Sequence, residues 1–332
     1  MLEINKVYCG DCLELMPKIA DKSIDMILCD LPYGTTACKW DTIIPFEPLW
    51  KQYKRIIKDN GAIVLTASQP FTSKLVMSNQ EMFRYEWIWE KEMGSNPLLA
   101  NKQPMKSHEN ILIFQKGSKE ITKDLTTFKE LRAYALKLRE HIKYTRKKMI
   151  ESIGDGSSQH FFEPFGPQWS LCTLKTYRKI EEVFNIREWF GFIEYIDLQK
   201  EYIKEDKKIN LQKEKGKPYI AKTGKGNMPH LNRLENNITI NNGDRFPKTI
   251  LRINTERGIH PTQKPVALFE YLIRTYTNEN NTVLDNCAGS MTTAIACIKT
   301  NRNWICMEQE EKYCIAGQKR IDAELAQTRL AL

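Results

Sequence analysis

The tetrapeptide Asp30-Leu31-Pro32-Tyr33 is the first place where residue types and order suggest chemistry. It follows the apolar run Ile24-Asp25-Met26-Ile27-Leu28-Cys29. A proline-containing turn after a strand aims the Asp30 carboxylate and the carbonyl of Leu31 or Pro32 at one point, with the flat face of Tyr33 beside them. That arrangement suits an exocyclic amine on a nucleobase. The amine lone pair is delocalised into the ring, so the nitrogen is a poor nucleophile. Two acceptors on its N–H groups draw it toward tetrahedral geometry and free the lone pair for in-line attack on a methyl group. An aromatic face holds a base that has left its duplex. The same four residues also suit a plain Pro-Tyr turn with a capping Asp, so their context decides.

A second constellation runs from Val283 through Asp285, Asn286, Cys287, Ala288, Gly289 and Ser290 to Thr292 and Thr293. It reads as a strand, a small-residue turn and a helix N-terminus, which lets backbone approach a ligand and favours a carboxylate there. Glu308 ends the next strand about 20 residues on, the spacing at which an acid meets ribose hydroxyls in dinucleotide folds. A nicotinamide dinucleotide site is the rival, but its Gly-x-Gly-x-x-Gly turn has only one of its glycines here. Gly224-Lys225-Gly226 lacks the spacing and the preceding strand of a phosphate loop. His108 precedes the strand Ile111–Gln115 and is expected to serve packing.

The elements that position these residues alternate strand and helix at both ends of the chain. Strands are expected at Ile4–Tyr8, Ile24–Cys29, Ala62–Thr66, Tyr85–Glu90 and Ile111–Gln115. Helices are expected at Cys12–Ile19, Phe46–Lys58 (closed by Asn60-Gly61 as a C-cap) and Phe71–Ser78. The C-terminal third repeats the style, with helices at Pro265–Thr275, Thr292–Lys299 and Lys312–Leu325 and strands at Thr282–Asp285 and Trp304–Glu308. The fold class that follows is α/β: a doubly wound, mostly parallel, Rossmann-like sheet covered on both faces. Between the two ends, Phe128 to about Tyr202 carries helical signals alone. Lys204 to Asn242 is Lys-, Gly- and Asn-rich and reads as loop. The expected domains are a catalytic half over 1–120, an inserted helical module over 121–205, a basic loop over 206–245 and a cofactor-binding half over 246–332.

Composition agrees with a globular protein: 332 residues, 41% hydrophobic and 27% charged. No apolar run approaches the roughly 20 residues that span a bilayer, and the N-terminus lacks a secretory layout. A cytoplasmic location and no membrane association are expected. The net charge of +9 is concentrated mid-chain, at Lys137–Lys148 and Lys200–Lys225, which tilts the reading toward a polyanionic partner. Nine cysteines include the CxxC pair Cys9 and Cys12. A zinc site wants a second close pair and none is present, so no metal is expected.

These motifs, in this order, resemble those of the β-class amino-group DNA methyltransferases, with the phage-type adenine enzymes as the nearest likeness. Asp30-Leu31-Pro32-Tyr33 resembles their catalytic Asp-Pro-Pro-Tyr, with Leu31 for the first proline. His260-Pro261-Thr262-Gln263-Lys264-Pro265 resembles the segment that contacts the methionine part of the cofactor. Asp285 to Thr293 resembles the main cofactor turn, and Glu308 stands where the ribose-binding acid stands. Gly10-Asp11-Cys12 resembles the turn near the cofactor adenine. The resemblance covers roughly residues 1–118 and 245–325. It implies S-adenosylmethionine as cofactor, released as S-adenosylhomocysteine, with no metal required. The implied cofactor residues are Asp11, Cys12, Asp30, His260, Thr262, Lys264, Asp285, Cys287, Ala288, Gly289, Ser290, Thr292 and Glu308. It further implies double-stranded DNA as partner, base flipping and methyl transfer to N6 of adenine, in a bacterial or phage-infected cell, and it leaves a homodimer and a restriction-modification role open. Relatives that act on N4 of cytosine usually carry Ser where this chain has Asp30, so cytosine is the alternative. Met291 replaces a glycine of the cofactor turn, which keeps a second alternative standing: a non-catalytic DNA-binding regulator with a degraded cofactor site.

The insert resembles a helix-turn-helix bundle of the phage-repressor type, with helices at Leu136–Tyr144, Arg146–Ile153, Ser158–Phe165 and Leu174–Phe184. Lys143, Arg146, Lys147, Lys148 and His160 are its candidate phosphate contacts, with Ser158 and Gln159 on the helix assigned to the major groove, where Gln159 would read adenine edges. A helical spacer with a solvated basic face fits the same residues. Trp169, Phe184, Trp189 and Phe190 are expected in its core.

Overall fold

The computed structural model describes residues 2–35, 41–95, 97–116, 128–154, 158–165, 169–206, 210, 212–223, 237–256, 258–259 and 262–330. The chain forms two compact units, residues 1–117 with 209–332, and residues 118–208.

In chain order the first unit begins with β1 (Lys6–Cys9), α1 (Cys12–Leu15), β2 (Ile24–Asp30), α2 (Phe46–Ile56), β3 (Ile57–Ala67), α3 (Phe71–Ser78), β4 (Phe83–Ser95) and β5 (Lys106–Gln115). The second unit holds α4 (Lys129–Ile142), α5 (Arg146–Ile153), α6 (Ser158–Phe161), α7 (Leu174–Phe184) and α8 (Tyr195–Asp206). The chain then returns through β6 (Glu214–Lys215), β7 (Tyr219–Thr223), β8 (Asn237–Asn241), β9 (Asp244–Arg245) and β10 (Ile250–Arg252). It ends with α9 (Val266–Tyr276), β11 (Thr282–Asp285), α10 (Thr292–Thr300), β12 (Asn303–Glu308) and α11 (Glu311–Leu330).

Eight strands form one sheet in the order β1-β12-β11-β2-β3-β5-β4-β10. All neighbours pair parallel except β5, which runs antiparallel to both β3 and β4. Strand periodicity explains the two-sided core, because successive side chains point to opposite faces. On β2, Met26 and Leu28 join one apolar cluster with α9 and α10, while Ile27 and Cys29 join a second with α1, α2 and α3. Ala62 and Val64 against Ile63 and Leu65 on β3 divide the same way, as do Val283 and Leu284 on β11. Both faces are covered, which makes the central strands continuous apolar runs.

Several sequence expectations change at element ends. Asn60-Gly61 does not cap α2; the helix ends at Ile56 and the two residues lie inside β3. The register slips there, with Ile24 opposite Ile57 but Met26 opposite Ala62. Gly61 answers the close approach of the irregular strand: a Cβ on it would stand 2.8 Å from the Asp25 carbonyl and 2.7 Å from Ile57 Cδ1. β4 and β5 extend well beyond the apolar runs that announced them, because strand pairing carries on through polar residues at the carboxyl edge. His108 consequently lies within β5, and exposed, not in packing. Within the stretch read as loop over Lys204–Asn242, the described residues finish α8 and supply β6, β7 and β8; β7 pairs antiparallel with β8, and β6 with β9 just beyond the stretch.

The second unit has its own core, with Phe161, Phe162, Tyr177, Ile180 and Leu138 fully buried. The helix expected over Ser158–Phe165 is only four residues long, Ser158–Phe161. Trp169 is buried, and Phe184 and Trp189 pack on the same cluster. Phe190 is instead fully exposed, so its place in the core is corrected.

Candidate active site

The carboxyl ends of β1, β2, β11 and β12 lie side by side, and loops from them wall a cavity of about 480 Å³. A crevice at the strand ends of an open α/β sheet is where such folds bind ligands. At one side stand Asp30, Leu31, Pro32 and Tyr33; at another Asp11 and Cys12; at a third Asp285, Cys287, Ala288, Gly289, Ser290, Thr292 and Glu308. Thr262 and Lys264 also line it. His260 lies outside the described residues.

The loop after β2 is fixed by Asp41, whose carboxylate accepts from the backbone N–H of Gly34 at 2.8 Å and of Thr35 at 2.9 Å. Gly34 adopts φ +66°, a left-handed conformation that glycine enters without penalty. The turn therefore presents Asp30 in one orientation. Asp30 Oδ1 accepts from the Tyr33 hydroxyl at 2.7 Å and from the Thr66 hydroxyl. Its Oδ2 accepts from Lys264 Nζ at 2.6 Å. The Tyr33 ring stacks on Phe71, centroids 5.3 Å apart. Burial raises the Tyr33 phenol well above its ordinary range, and the Asp30 and Glu109 carboxylates add to that, so it stays a neutral donor.

Lys264 is 6% exposed and its ammonium lies 3.3 Å from a second carboxylate, Glu109 Oε2. The other Glu109 oxygen is paired with Lys91. Burial works to lower the Lys264 ammonium, but Asp30 and Glu109 overcome it and hold the group above its ordinary range. Burial likewise works to raise the Glu109 carboxyl, and Lys264 and Lys91 pull it below the usual carboxylate range. All the charge in this cluster is thus matched within it, as buried ions require.

The wall formed by the ends of β11 and β12 is tied together through backbone groups. The Ala288 N–H donates to the Met307 carbonyl at 2.8 Å, tying the turn after β11 to β12. Glu308 accepts from the N–H of Gly289 at 2.8 Å on one oxygen and of Glu310 at 2.9 Å on the other. Burial raises the Glu308 carboxyl. Asp11 caps α1 by accepting from the Leu13 N–H at 2.7 Å. Burial also pushes the Asp285 carboxyl up to about 7, against hydrogen bonds from Thr293 and the Cys287 N–H. A ribose wants carboxylate acceptors, a carboxylate wants the N-terminus of α10, and the cavity falls in the size range of small-molecule sites. The donor set fits a nucleoside cofactor with an amino-acid tail.

Met291 takes φ +61°, a left-handed conformation that glycine adopts freely. Its side chain is fully buried and packs where a Cβ on Gly317 would come 2.3 Å from Met291 Cγ. The longer side chain is housed by a glycine on α11, away from the cavity wall.

Sequence reasoning missed Glu109, Lys91, Thr66, Phe71 and Asp41. Glu109 sits at the polar head of β5, and nothing in its neighbours singles it out. Tertiary pairing of β5 beside β3 brings it in.

The DNA methylase family model matches residues 24–319. The chain belongs to this N6/N4 DNA methylase family. It is therefore an S-adenosylmethionine-dependent DNA amino-methyltransferase, in a family named for both N6 and N4 amines. It is similar to type II methyltransferase M1.MboII of Moraxella bovis, 24% identical over 326 residues, spanning 94% of this chain and 95% of that one. DNA adenine methyltransferase YhdJ of Escherichia coli K12 is 41% identical over 77 residues, 23% of this chain and 26% of that one. Among solved structures, PvuII DNA methyltransferase (cytosine-N4-specific) matches at TM-score 0.49 and 14% identity over 96% of this chain and 87% of that one. No described helix of the methylase is long and apolar enough to cross a membrane.

In the second unit, Lys143, Lys147, Lys148 and Gln159 are exposed and His160 is half-buried. Lys148 Nζ lies 4.4 Å from the Tyr144 ring centroid. Ser158 is fully buried in the unit's interior, so it offers no hydroxyl to a groove. Arg146 opens α5, and its side chain lies outside the described residues.

Proposed function

We propose that this methylase flips an adenine from duplex DNA and methylates its N6, with residues 118–208 as the target-recognition module. The observation that carries the reading is Asp30 on the cavity wall, its carboxylate oriented by Tyr33, Thr66 and Lys264. A carboxylate accepts both in the ground state and as positive charge grows on the attacked nitrogen, which a serine hydroxyl does less well. The likeness to the adenine enzyme YhdJ, 41% identical over 77 residues, supports the same base.

S-adenosylmethionine supplies a methyl group made electrophilic by the sulfonium. Glu308 and Asp11 would hold the ribose and adenine end of the cofactor, and the turn Asn286–Ser290 with the N-terminus of α10 its carboxylate. Asp30 accepts one amine N–H and the Leu31 or Pro32 carbonyl the other, which localises the lone pair. Asp30 then takes the proton that the alkylated nitrogen sheds. Tyr33 donates to Asp30 and would present its ring to the base, with Phe71 stacked against it. Met291 supports an intact cofactor site, since its side chain is packed on α11. In the recognition module, Lys143, Lys147, Lys148 and His160 are assigned to phosphates and Gln159 to a base edge.

The test is direct. The protein is incubated with unmethylated DNA and S-adenosylmethionine, the DNA is digested, and the nucleosides are identified by mass spectrometry. N6-methyladenine is the expected product. N4-methylcytosine in its place would overturn the assignment of the base.

A further inference from the structure

Asp30 must accept from the target amine, yet its acceptor sites are mostly taken. Oδ1 already receives two hydroxyls, from Tyr33 and Thr66. Each carboxylate oxygen has two acceptor sites, so Oδ1 is full. Oδ2 carries the Lys264 ammonium at 2.6 Å, which leaves one site there, weakened by a cation. A cation at that point also opposes the positive charge that grows on nitrogen during methyl transfer. The ammonium that occupies Asp30 is the very group that Glu109 reaches, at 3.3 Å. Lys264 is 6% exposed and Glu109 13%, so both are largely shielded from bulk water. Lys91, on the far oxygen of Glu109, completes a row of alternating charge: Asp30, Lys264, Glu109, Lys91.

We propose that Glu109 is a positioning residue that receives the Lys264 ammonium when the target amine enters, clearing Asp30 Oδ2 for the amine N–H. The inference rests on the assignment of Asp30 as the amine acceptor. It does not depend on which base carries that amine. The shift required is short, because Nζ already lies within ion-pair distance of both carboxylates. Lys91 sets the balance. It shares Glu109 with Lys264, so it limits how strongly Glu109 draws on Lys264 in the resting enzyme.

The test measures single-turnover methyl transfer at saturating DNA and cofactor for Glu109→Gln, Lys91→Gln and the double variant Glu109→Gln with Lys264→Gln. Glu109→Gln should lower the transfer rate by about 10- to 100-fold, the scale of one misplaced charged group in an active site, with KM for DNA and cofactor little changed. The double variant should recover about tenfold of that loss, because no ammonium then competes for Asp30. Lys91→Gln, which leaves Glu109 free to hold Lys264, should transfer at least as fast as wild type. The wild-type protein run alongside reports whether amine methylation occurs at all, which separates this inference from the functional reading. Wild-type rates in Glu109→Gln, a double variant no faster than Glu109→Gln, or a Lys91→Gln variant slowed tenfold would each overturn the hand-off. Should Glu109→Gln not fold, the Lys91→Gln rate still decides.

Discussion

Exchanging the glycine between two facing positions tests how this chain tolerates Met291 in the turn before α10. Met291 stands at φ +61° and ψ +31° with its side chain fully buried against Gly317. Met291→Gly relieves a left-handed L-residue, worth about 1–2 kcal/mol. It also empties the volume of a buried methionine, which costs about 2–5 kcal/mol. The net expectation is a loss of about 2 kcal/mol. Gly317→Ala puts a Cβ 2.3 Å from Met291 Cγ and 3.4 Å from Met291 Cβ, contacts that the buried chain must yield to. Overpacking of this kind costs about 1–3 kcal/mol, partly offset by about 0.5–1 kcal/mol from replacing a helical glycine. The two changes share one space, so the double variant should be at least about 1 kcal/mol more stable than the sum of the singles. Urea unfolding of wild type and the three variants, followed by circular dichroism, measures this coupling. Calorimetric titration with S-adenosylmethionine measures the site, and Met291→Gly should stay within about twofold of wild-type affinity, less than 0.5 kcal/mol. Additive destabilisation would refute the packing argument. A tenfold loss of cofactor affinity in Met291→Gly would refute the claim that Met291 is held away from the cavity.

Three further perturbations follow from the site. Asp30→Asn keeps the shape but exchanges a carboxylate for an amide; transfer should fall by about 100-fold or more while calorimetry finds the cofactor still bound. Asp285 has its folded-state pKa raised by burial to about 7 from an ordinary 3.8, so its stabilising contribution is fully present below about pH 4 and lost as pH rises through 7. Wild type should therefore lose stability relative to Asp285→Asn between about pH 4 and 7 in matched urea titrations; a constant difference would contradict a carboxyl raised by burial. Replacing Lys147 and Lys148 together by Ala should weaken DNA binding at all sequences and reduce the salt slope by about two, as loss of two phosphate contacts requires, with cofactor affinity unchanged.

The parts of this protein that follow local rules were legible from its residues. The apolar runs of β2, β3 and β11, the Asp30 turn and the small-residue turn before α10 are written in short stretches of sequence, because strand burial and turn chemistry act over a few residues. Their order along the chain was enough to indicate the family. Element ends were less legible: β3 runs through Asn60-Gly61 because its pairing with β2 overrides a good helix-stop signal. Phe190 was misassigned for a related reason, since an apolar residue carries no mark of whether a partner surface lies beside it. The sequence by itself determined that a carboxylate, a proline turn and a tyrosine stand at one strand end, with acids suited to a nucleoside at others. Only the tertiary structure decided what those groups meet. Lys264, 234 residues from Asp30 along the chain, bonds its carboxylate at 2.6 Å, and Glu109 closes on the same ammonium from β5. Gly317 makes room for Met291 from α11. Such pairings depend on sheet order and helix packing, which join residues remote in sequence, and no local pattern records them.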